Sequence, residues 1–403
     1  MTSNKWQQLH TLNHYKEDGM KKRILIAGLA VLFGVAFFAP AMAQDTIGIG
    51  LCAPMSGGAA SWGKKAESGT IFAIERINAA GGVKAKGETK ARMLKLIEVA
   101  DDKNDPREGA AIAQRFVDNA QILAMVGPVT STVALAGAPI LNKAGLVQIA
   151  IGATAPAYTD AGPYSFRVVP TDTFQGRFIA KWATGQKKWG KYATIYVNDD
   201  YGRGLNDVFK TAMRELGVPE GAIVAPEAFQ PNDTDFTVQL SKIKGLKGDA
   251  LFIAGHYKEG ALIARQAQEL GLNAQILGTD GIGHPEYIKV AGKAAEGTIY
   301  SGYFSLEDQR PYIQKWATEF KAKFQTEPGL VEGLANDCVE LIAKAVELGG
   351  ANREAVCKAL TGIGTASPAV MGALGENKFD ANGDMVRDML MYIVKDGKAV
   401  LYK

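Results

Sequence analysis

Catalytic side chains are what this chain has least of. Its 403 residues hold four histidines and three cysteines. His10 and His14 fall in an N-terminal stretch read below as removed, which leaves His256 and His284. Neither stands in a zinc spacing such as His-x-x-x-His. There is no Gly-x-Ser-x-Gly elbow and no Gly-x-x-x-x-Gly-Lys-Ser/Thr phosphate loop. No dinucleotide fingerprint follows the first apolar strand, which reads Gly48-Ile49-Gly50-Leu51-Cys52-Ala53. The pairs Asp101-Asp102 and Asp199-Asp200 sit at strand ends, where helix capping and turn chemistry account for them. Asp380-Ala381-Asn382-Gly383-Asp384 has a calcium-loop flavour but carries Met391 at the twelfth position, so it reads as a turn. The expectation is a protein that is not an enzyme, with no metal site and no cofactor.

Charge of one sign is also missing. The formal net charge is +3, with 47% apolar and 22% charged residues. That is ordinary globular composition and excludes disorder, collagen and coiled coil. Residues 1–43 carry five basic and two acidic side chains, so the remainder is neutral. A neutral chain has no electrostatic reason to seek nucleic acid or an anionic membrane. Its length suffices for two domains, each with its own core.

Long apolar runs are confined to the beginning. Met20-Lys21-Lys22-Arg23 is a basic start, Ile24 through Phe38 is an apolar run of 15 residues, and Ala39-Pro40-Ala41-Met42-Ala43 follows. This reads as a secretory signal peptide cut after Ala43, with Met20 as the expected start. The run is shorter than the ~20 residues a membrane-spanning helix needs. No Cys follows the cut, so no lipid anchor is expected. The expected location is a bacterial periplasm. Export permits disulfides. Cys338 and Cys357 lie on two predicted helices joined by Gly349-Gly350-Ala351, where a bridge is sterically allowed but not forced. Cys52 reads as a core thiol.

What the chain does have is alternation. Apolar runs of strand length recur at Ile47–Cys52, Met93–Val99, Ile122–Val126, Leu146–Ile149, Ala193–Val197, Ala250–Ala254 and Gln275–Leu277. Helical spacing fills Trp62–Ala80, Arg107–Ala120, Tyr201–Leu216 and Tyr257–Leu270, and later Pro311–Lys323, Leu334–Leu348 and Arg353–Leu360. Such alternation means an α/β protein with parallel sheets and helices on both faces. The units are too many for one such domain. A last hairpin, Met389–Val394 with Ala399–Tyr402, turns at Asp396-Gly397.

Strand-to-helix junctions of this architecture bind small molecules beyond the carboxyl ends of the strands, and helix N-termini there hold anions. Three junctions stand out. One ends in Gly127-Pro128-Val129-Thr130-Ser131-Thr132, one in Ala150-Ile151-Gly152-Ala153-Thr154-Ala155-Pro156, and one in Gly278-Thr279-Asp280-Gly281. Taken alone, the hydroxyls could be simple caps and Asp280 an Asp-Gly turn.

Several short stretches carry a resemblance. They include Pro54-Met55-Ser56-Gly57, Ile77-Asn78-Ala79-Ala80-Gly81-Gly82-Val83 and Asp101-Asp102-Lys103-Asn104-Asp105-Pro106. Ala153-Thr154-Ala155-Pro156, Phe166-Arg167, Asp200-Tyr201-Gly202-Arg203-Gly204, Ala295-Glu296-Gly297 and Phe379-Asp380 follow in order. Together they resemble the branched-chain amino-acid-binding protein family, the Leu/Ile/Val-binding-like solute-binding subunits of ABC importers. The resemblance implies a type I periplasmic binding protein: two Rossmann-like lobes with parallel sheets joined by three hinge crossovers. These crossovers map near Val169–Thr173, Gly302–Ser305 and Asp380–Val386. Lobe 1 would comprise 44–170 with 304–381, and lobe 2 171–303 with 382–403. Lobe closure on a ligand would follow.

The resemblance also implies a pocket. Ser131, with Thr132 beside it, and Thr154 would hold a ligand carboxylate, helped by backbone around Gly152. Asp280 would meet an ammonium. Trp62 and Tyr201 would be aromatic walls, and His256 or Tyr257 a third. The implied partners are an amino acid and the membrane permease of an ABC transporter, and the expected state is a monomer. Physics agrees, because a zwitterion needs an anion site and a cation acceptor a few ångströms apart. The alternatives are another small carboxylate or amide on the same scaffold, or a ligand-sensing subunit.

Overall fold

Strands buried on both faces organise this chain into two sheets. A computed structural model describes residues 46–402 except 187–188. The signal peptide, its cleavage after Ala43 and the start at Met20 lie outside the described residues. The first sheet runs β1 (Thr46–Ala53), β2 (Met93–Asp101), β3 (Ala124–Val126), β4 (Val147–Ala150) and β5 (Ser165–Arg167), in the spatial order β2-β1-β3-β4-β5. The second holds β6 (Tyr192–Val197), β7 (Ile223–Phe229), β8 (Ala250–Ala254), β9 (Gln275–Gly278) and β10 (Ile299–Gly302), in the order β7-β6-β8-β9-β10. All these pairings are parallel. The two orders are the same when each sheet is counted from its own first strand. A short hairpin, β11 (Val370–Gly372) and β12 (Gly375–Asn377), stands apart. The second sheet is extended by β13 (Leu390–Lys395) and β14 (Lys398–Leu401), both antiparallel. Their turn is the predicted Asp396-Gly397, both residues at positive φ as a tight primed turn needs.

Parallel sheets bury both faces, so their strands read as continuous apolar runs. Every residue of β8, Ala-Leu-Phe-Ile-Ala, is buried. Each fully buried side chain of Val or Leu size contributes about 1.5–3 kcal/mol relative to exposure. The edge strand β7 tolerates Pro226 and a register shift opposite Ala193/Thr194 because its outer side has no ladder partner to lose.

The helices flank these sheets: α1 (Ala60–Ala79), α2 (Pro106–Asp118), α3 (Ser131–Ala144), α4 (Ala157–Asp160), α5 (Asp172–Thr184), α6 (Asp200–Glu215), α7 (Thr237–Leu246), α8 (Tyr257–Glu269), α9 (Pro285–Ala291), α10 (Pro311–Phe324), α11 (Leu330–Gly349) and α12 (Arg353–Gly362). The acidic pairs act as turn and cap residues. Asp199 caps α6 by accepting the Gly202 N–H at 2.8 Å. Asp101 accepts the N–H groups of Met55 and Lys103 at 2.8 and 2.9 Å. Asp380 accepts those of Asn382 and Asp384 at 2.9 and 3.0 Å, the turn read from the sequence.

The last three helices return to the first sheet. A Cβ on Gly69 of α1 would meet the Glu332 carbonyl of α11 at 2.2 Å, so the two helices touch backbone to backbone. Phe72 packs on Phe320 of α10 with ring centroids 5.3 Å apart. The chain thus passes between the two halves three times, between β5 and α5, between β10 and α10, and between β12 and β13. Cys338 and Cys357 are not bridged. Each is a buried free thiol that donates to its own carbonyl, Ile149 at 3.5 Å and Pro163 at 3.2 Å. Cys52 is a buried thiol beside Asp102.

One buried cation ties the third passage down. Arg167, at the end of β5, has no exposed surface. Its guanidinium pairs with Asp384 at 2.6 Å and donates to the carbonyls of Ala153 and Pro156 and to the Thr159 hydroxyl, at 2.9, 3.2 and 2.8 Å. Removing one member of a buried pair typically costs about 3–5 kcal/mol. Arg167→Met is therefore expected to lower the unfolding free energy measured in urea by about that much, and the midpoint with it. An unchanged midpoint would show that the pair anchors nothing.

Candidate functional site

The carboxyl ends of both sets of parallel strands face a single cavity. Its empty space, counting the part open to solvent, is about 650 Å³. From the first sheet come Trp62 on α1 after β1, Ser131 at the start of α3 after β3, and Gly152 just past β4. From the second come Tyr201 on α6 after β6, His256 after β8, Asp280 after β9 and Tyr303 after β10. The two walls are thus built from equivalent junctions of the same strand order.

One wall favours an anion. Ser131 opens α3, and no side chain caps the N-terminus of that helix. Its first N–H groups lack intrahelical partners and carry the positive end of the helix dipole. The Ser131 hydroxyl oxygen accepts the N–H groups of Thr154 and Ala155 at 3.2 and 3.1 Å, which leaves its own proton to donate. Gly152 must be glycine here, because a Cβ would stand 2.6 Å from the Val129 carbonyl.

The facing wall carries a carboxylate. Asp280 accepts from the hydroxyl of Tyr303 at 3.2 Å and lies 3.5 Å from that of Tyr201. Tyr201 also bonds the Thr279 hydroxyl at 2.9 Å. Burial pushes the Asp280 carboxyl up to about 6, against the pull of the Tyr303 hydrogen bond and the positive His256 nearby. Gly281 lets the Tyr201 hydroxyl approach, since a Cβ would meet it at 2.4 Å. Deeper still lies Asp172 at the start of α5, wholly buried, with neither carboxyl oxygen hydrogen-bonded. Burial, then the Asp280 charge, hold its carboxyl well above the usual carboxylate range.

Aromatic rings close the space. Trp62 meets His256 edge-on at 5.2 Å and Tyr257 at 4.9 Å. Tyr201 stacks on His256 at 5.3 Å. His256 Nε2 lies 3.3 Å from the Asp199 carboxylate. Burial works against charging this ring, but the Asp199 hydrogen bond and charge outweigh it and raise its pKa.

Of the nine residues singled out from the sequence, six line the cavity: Trp62, Ser131, Gly152, Tyr201, His256 and Asp280. The other three stand beside it. Thr154 is buried behind the wall, its hydroxyl without a hydrogen-bond partner and its N–H on Ser131. Thr132 accepts the Asp200 N–H at 3.1 Å, and Tyr257 donates to the Gly58 carbonyl at 2.9 Å, so both tie the two halves together. The pair His256-Tyr257, left open by the sequence, divides into a wall residue and a tie.

The cavity also holds residues the sequence reading passed over. Tyr303 follows β10 and falls within the expected crossover Gly302–Ser305. Lys65 was legible as the residue one turn past Trp62. His284 and Glu332 come from loops and helices whose convergence no local pattern announces. Among the described residues no cluster of His, Cys, Asp and Glu could hold a metal ion, and no helix is long and apolar enough to cross a membrane.

A family model for the periplasmic binding protein matches residues 46–399. The chain is 32% identical over 376 residues to the Leu/Ile/Val-binding protein BraC3 of Rhizobium johnstonii, covering 92% of this chain and 97% of that one. It is 31% identical over 363 residues to a leucine-, isoleucine-, valine-, threonine- and alanine-binding protein of Pseudomonas aeruginosa, covering 90% and 92%. Among solved structures, the branched-chain amino acid transporter substrate binding protein LivJ of Streptococcus pneumoniae, in complex with isoleucine, is similar with a TM-score of 0.79. It is 29% identical and covers 88% of this chain and 97% of that one. With the family model spanning nearly the whole described fold, the chain belongs to the periplasmic binding protein family, the non-enzymatic solute-binding subunits of ABC transporters.

Proposed function

We propose that this protein captures a zwitterionic amino acid in the periplasm and delivers it to the permease of an ABC importer. The observation that carries the reading is the opposition of two poles across one cavity. The uncapped start of α3 with the Ser131 hydroxyl faces it from one sheet, and the Asp280 carboxylate from the other. In this reading the ligand carboxylate accepts hydrogen bonds from the Ser131 hydroxyl and from the N–H groups near Gly152. Thr154 and Ala155 hold Ser131 in place, and the ligand ammonium pairs with Asp280. Trp62, Tyr201 and His256 exclude water, and the faces of Trp62 and Tyr201 favour a nearby cation. A plain carboxylic acid would leave Asp280 without a counter-charge, which disfavours that alternative. The amino-acid ligands named for the relatives support the same class.

In this reading the lobes, 44–170 with 304–381 and 171–303 with 382–403, move as bodies on the three crossovers. The ligand's two charges join lobe to lobe, so its binding favours the closed form. Small-angle scattering should then give a smaller radius of gyration with saturating ligand than without. Equal radii would remove lobe closure from the account.

Asp280→Asn should weaken binding by roughly two to four orders of magnitude, the equivalent of about 3–5 kcal/mol for a buried cation stripped of its partner. The melting temperature of the unliganded protein should change little, because Asp280 lies on the cavity wall. Titration calorimetry together with thermal melting separates this from a turn-forming role, which would move stability and spare affinity.

Acid should act through the same group. Protons compete with the ligand ammonium for a carboxylate whose pKa stands at about 6. Affinity should hold above pH 7 and fall by about tenfold per pH unit below 6, the limit for one competing proton. Asp280→Asn should flatten that slope. A wild-type affinity constant from pH 7 to 5 would count against Asp280 as the counter-ion.

A further inference from the structure

The cavity contains a third polar group that neither pole of a zwitterion uses. Lys65 lies one turn beyond Trp62 on α1, so the two share a face, and both line the cavity. The Lys65 ammonium donates to Glu332 Oε1 at 2.5 Å. The other Glu332 oxygen accepts the Gly329 N–H at 3.0 Å. Glu332 is 3% exposed, so its charge is paired rather than hydrated. His284 reaches the same place from the opposite half. Its Nδ1 accepts the Glu286 N–H at 3.1 Å, and burial, with the Lys65 charge, lowers its pKa to about 3. The neutral ring therefore carries its proton on Nε2, which stands 3.5 Å from the Ser61 hydroxyl.

This group offers both kinds of hydrogen-bonding partner. An ammonium has three N–H bonds and Lys65 gives one to Glu332. Each carboxylate oxygen has two lone pairs, and each Glu332 oxygen has one bond here. His284 adds a donor that it shares with Ser61 across a long 3.5 Å contact. Around them stand Trp62, Val331 and Leu334, apolar surface suited to methylene groups.

Resting on the amino-acid reading above, we propose that Lys65, Glu332 and His284 read the ligand's side chain, and that the preferred ligand carries a carboxamide. An aliphatic side chain would exclude water from the group and satisfy none of it, and stranded buried polar groups are costly. An anionic side chain would face the Glu332 carboxylate, and a cationic one the Lys65 ammonium. A carboxamide oxygen accepts from Lys65 or His284 while its NH₂ donates to Glu332. A site that hydrogen-bonds a substrate group discriminates strongly against analogues lacking it.

Isosteric amino acids test this directly. Leucine, asparagine and aspartate share one branched outline, and methionine, glutamine and glutamate are of similar, greater length. Titration calorimetry on the purified protein should show asparagine or glutamine binding at least about tenfold more tightly than its aliphatic and its carboxylate counterpart. Lys65→Met with Glu332→Gln removes both charges and keeps an acceptor for the Gly329 N–H. In that double variant the amide-over-aliphatic ratio should fall by about tenfold, with alanine affinity and melting temperature near wild type. An aliphatic isostere that matches or exceeds its amide in the wild type overturns this proposal and leaves the amino-acid reading standing. An unchanged ratio in a folded double variant overturns it as well. Binding of none of the six, nor of alanine or glycine, overturns the amino-acid reading and this proposal with it.

Discussion

A guanidinium with no access to water must be given partners by the protein, and Arg167 obtains them from three separate pieces of chain. It takes Asp384 from the third passage between the halves, the Ala153 and Pro156 carbonyls from the loop after β4, and the Thr159 hydroxyl from α4. Such a group tolerates few alternative arrangements, because each would strand a buried charge. The loop it grips is the one whose Thr154 and Ala155 N–H groups hold the Ser131 oxygen. The placement of the Ser131 hydroxyl at the cavity thus depends on a cation that does not line it. Thr159 also donates to Asp384 at 2.9 Å, so the same group binds the passage to the loop twice.

The contacts that join the halves across the cavity are of a different kind. Beside the edge-on contacts of Trp62 with His256 and Tyr257, they are single polar bonds: Tyr257 to the Gly58 carbonyl, the Asp200 N–H to Thr132, and Ser61 with His284. A neutral hydrogen bond is worth about 0.5–1.5 kcal/mol net. Three of them bias a closed arrangement without locking it, and that is the regime in which a ligand's differential affinity can decide the balance. In the proposed reading, the rigid side of the design lies within each half, and the adjustable side lies between them.

Much of this was open to a reader of the sequence. β8 and the start of α8 fall where the apolar run and helical spacing put them, because a strand buried on both faces cannot disguise itself. β7 was not seen, since Pro226 and Glu227 break its run at a position where only an edge strand would accept them. β5 is three residues with a serine and an arginine, and its identity depends on partners far along the chain. The junction residues Ser131 and Asp280 were legible because strand-end chemistry is local. Glu332 was not, because its meeting with Lys65 is made by two helices 267 residues apart in sequence. Cys338 and Cys357 had suitable spacing for a bridge, but each thiol is turned toward a different carbonyl.

The three passages between the sheets also set an order of events in synthesis. The strands of the first sheet are complete at Arg167, yet the last helices of that half begin only at Pro311, and one of its buried side chains, Trp316, lies beyond that. The second sheet waits for its edge strands at Leu390–Leu401. Neither half can close its core while the ribosome is still at work on the last stretch of the message. Non-local pairing of this kind makes folding depend on contacts far apart in the chain, so each half reaches its final packing late.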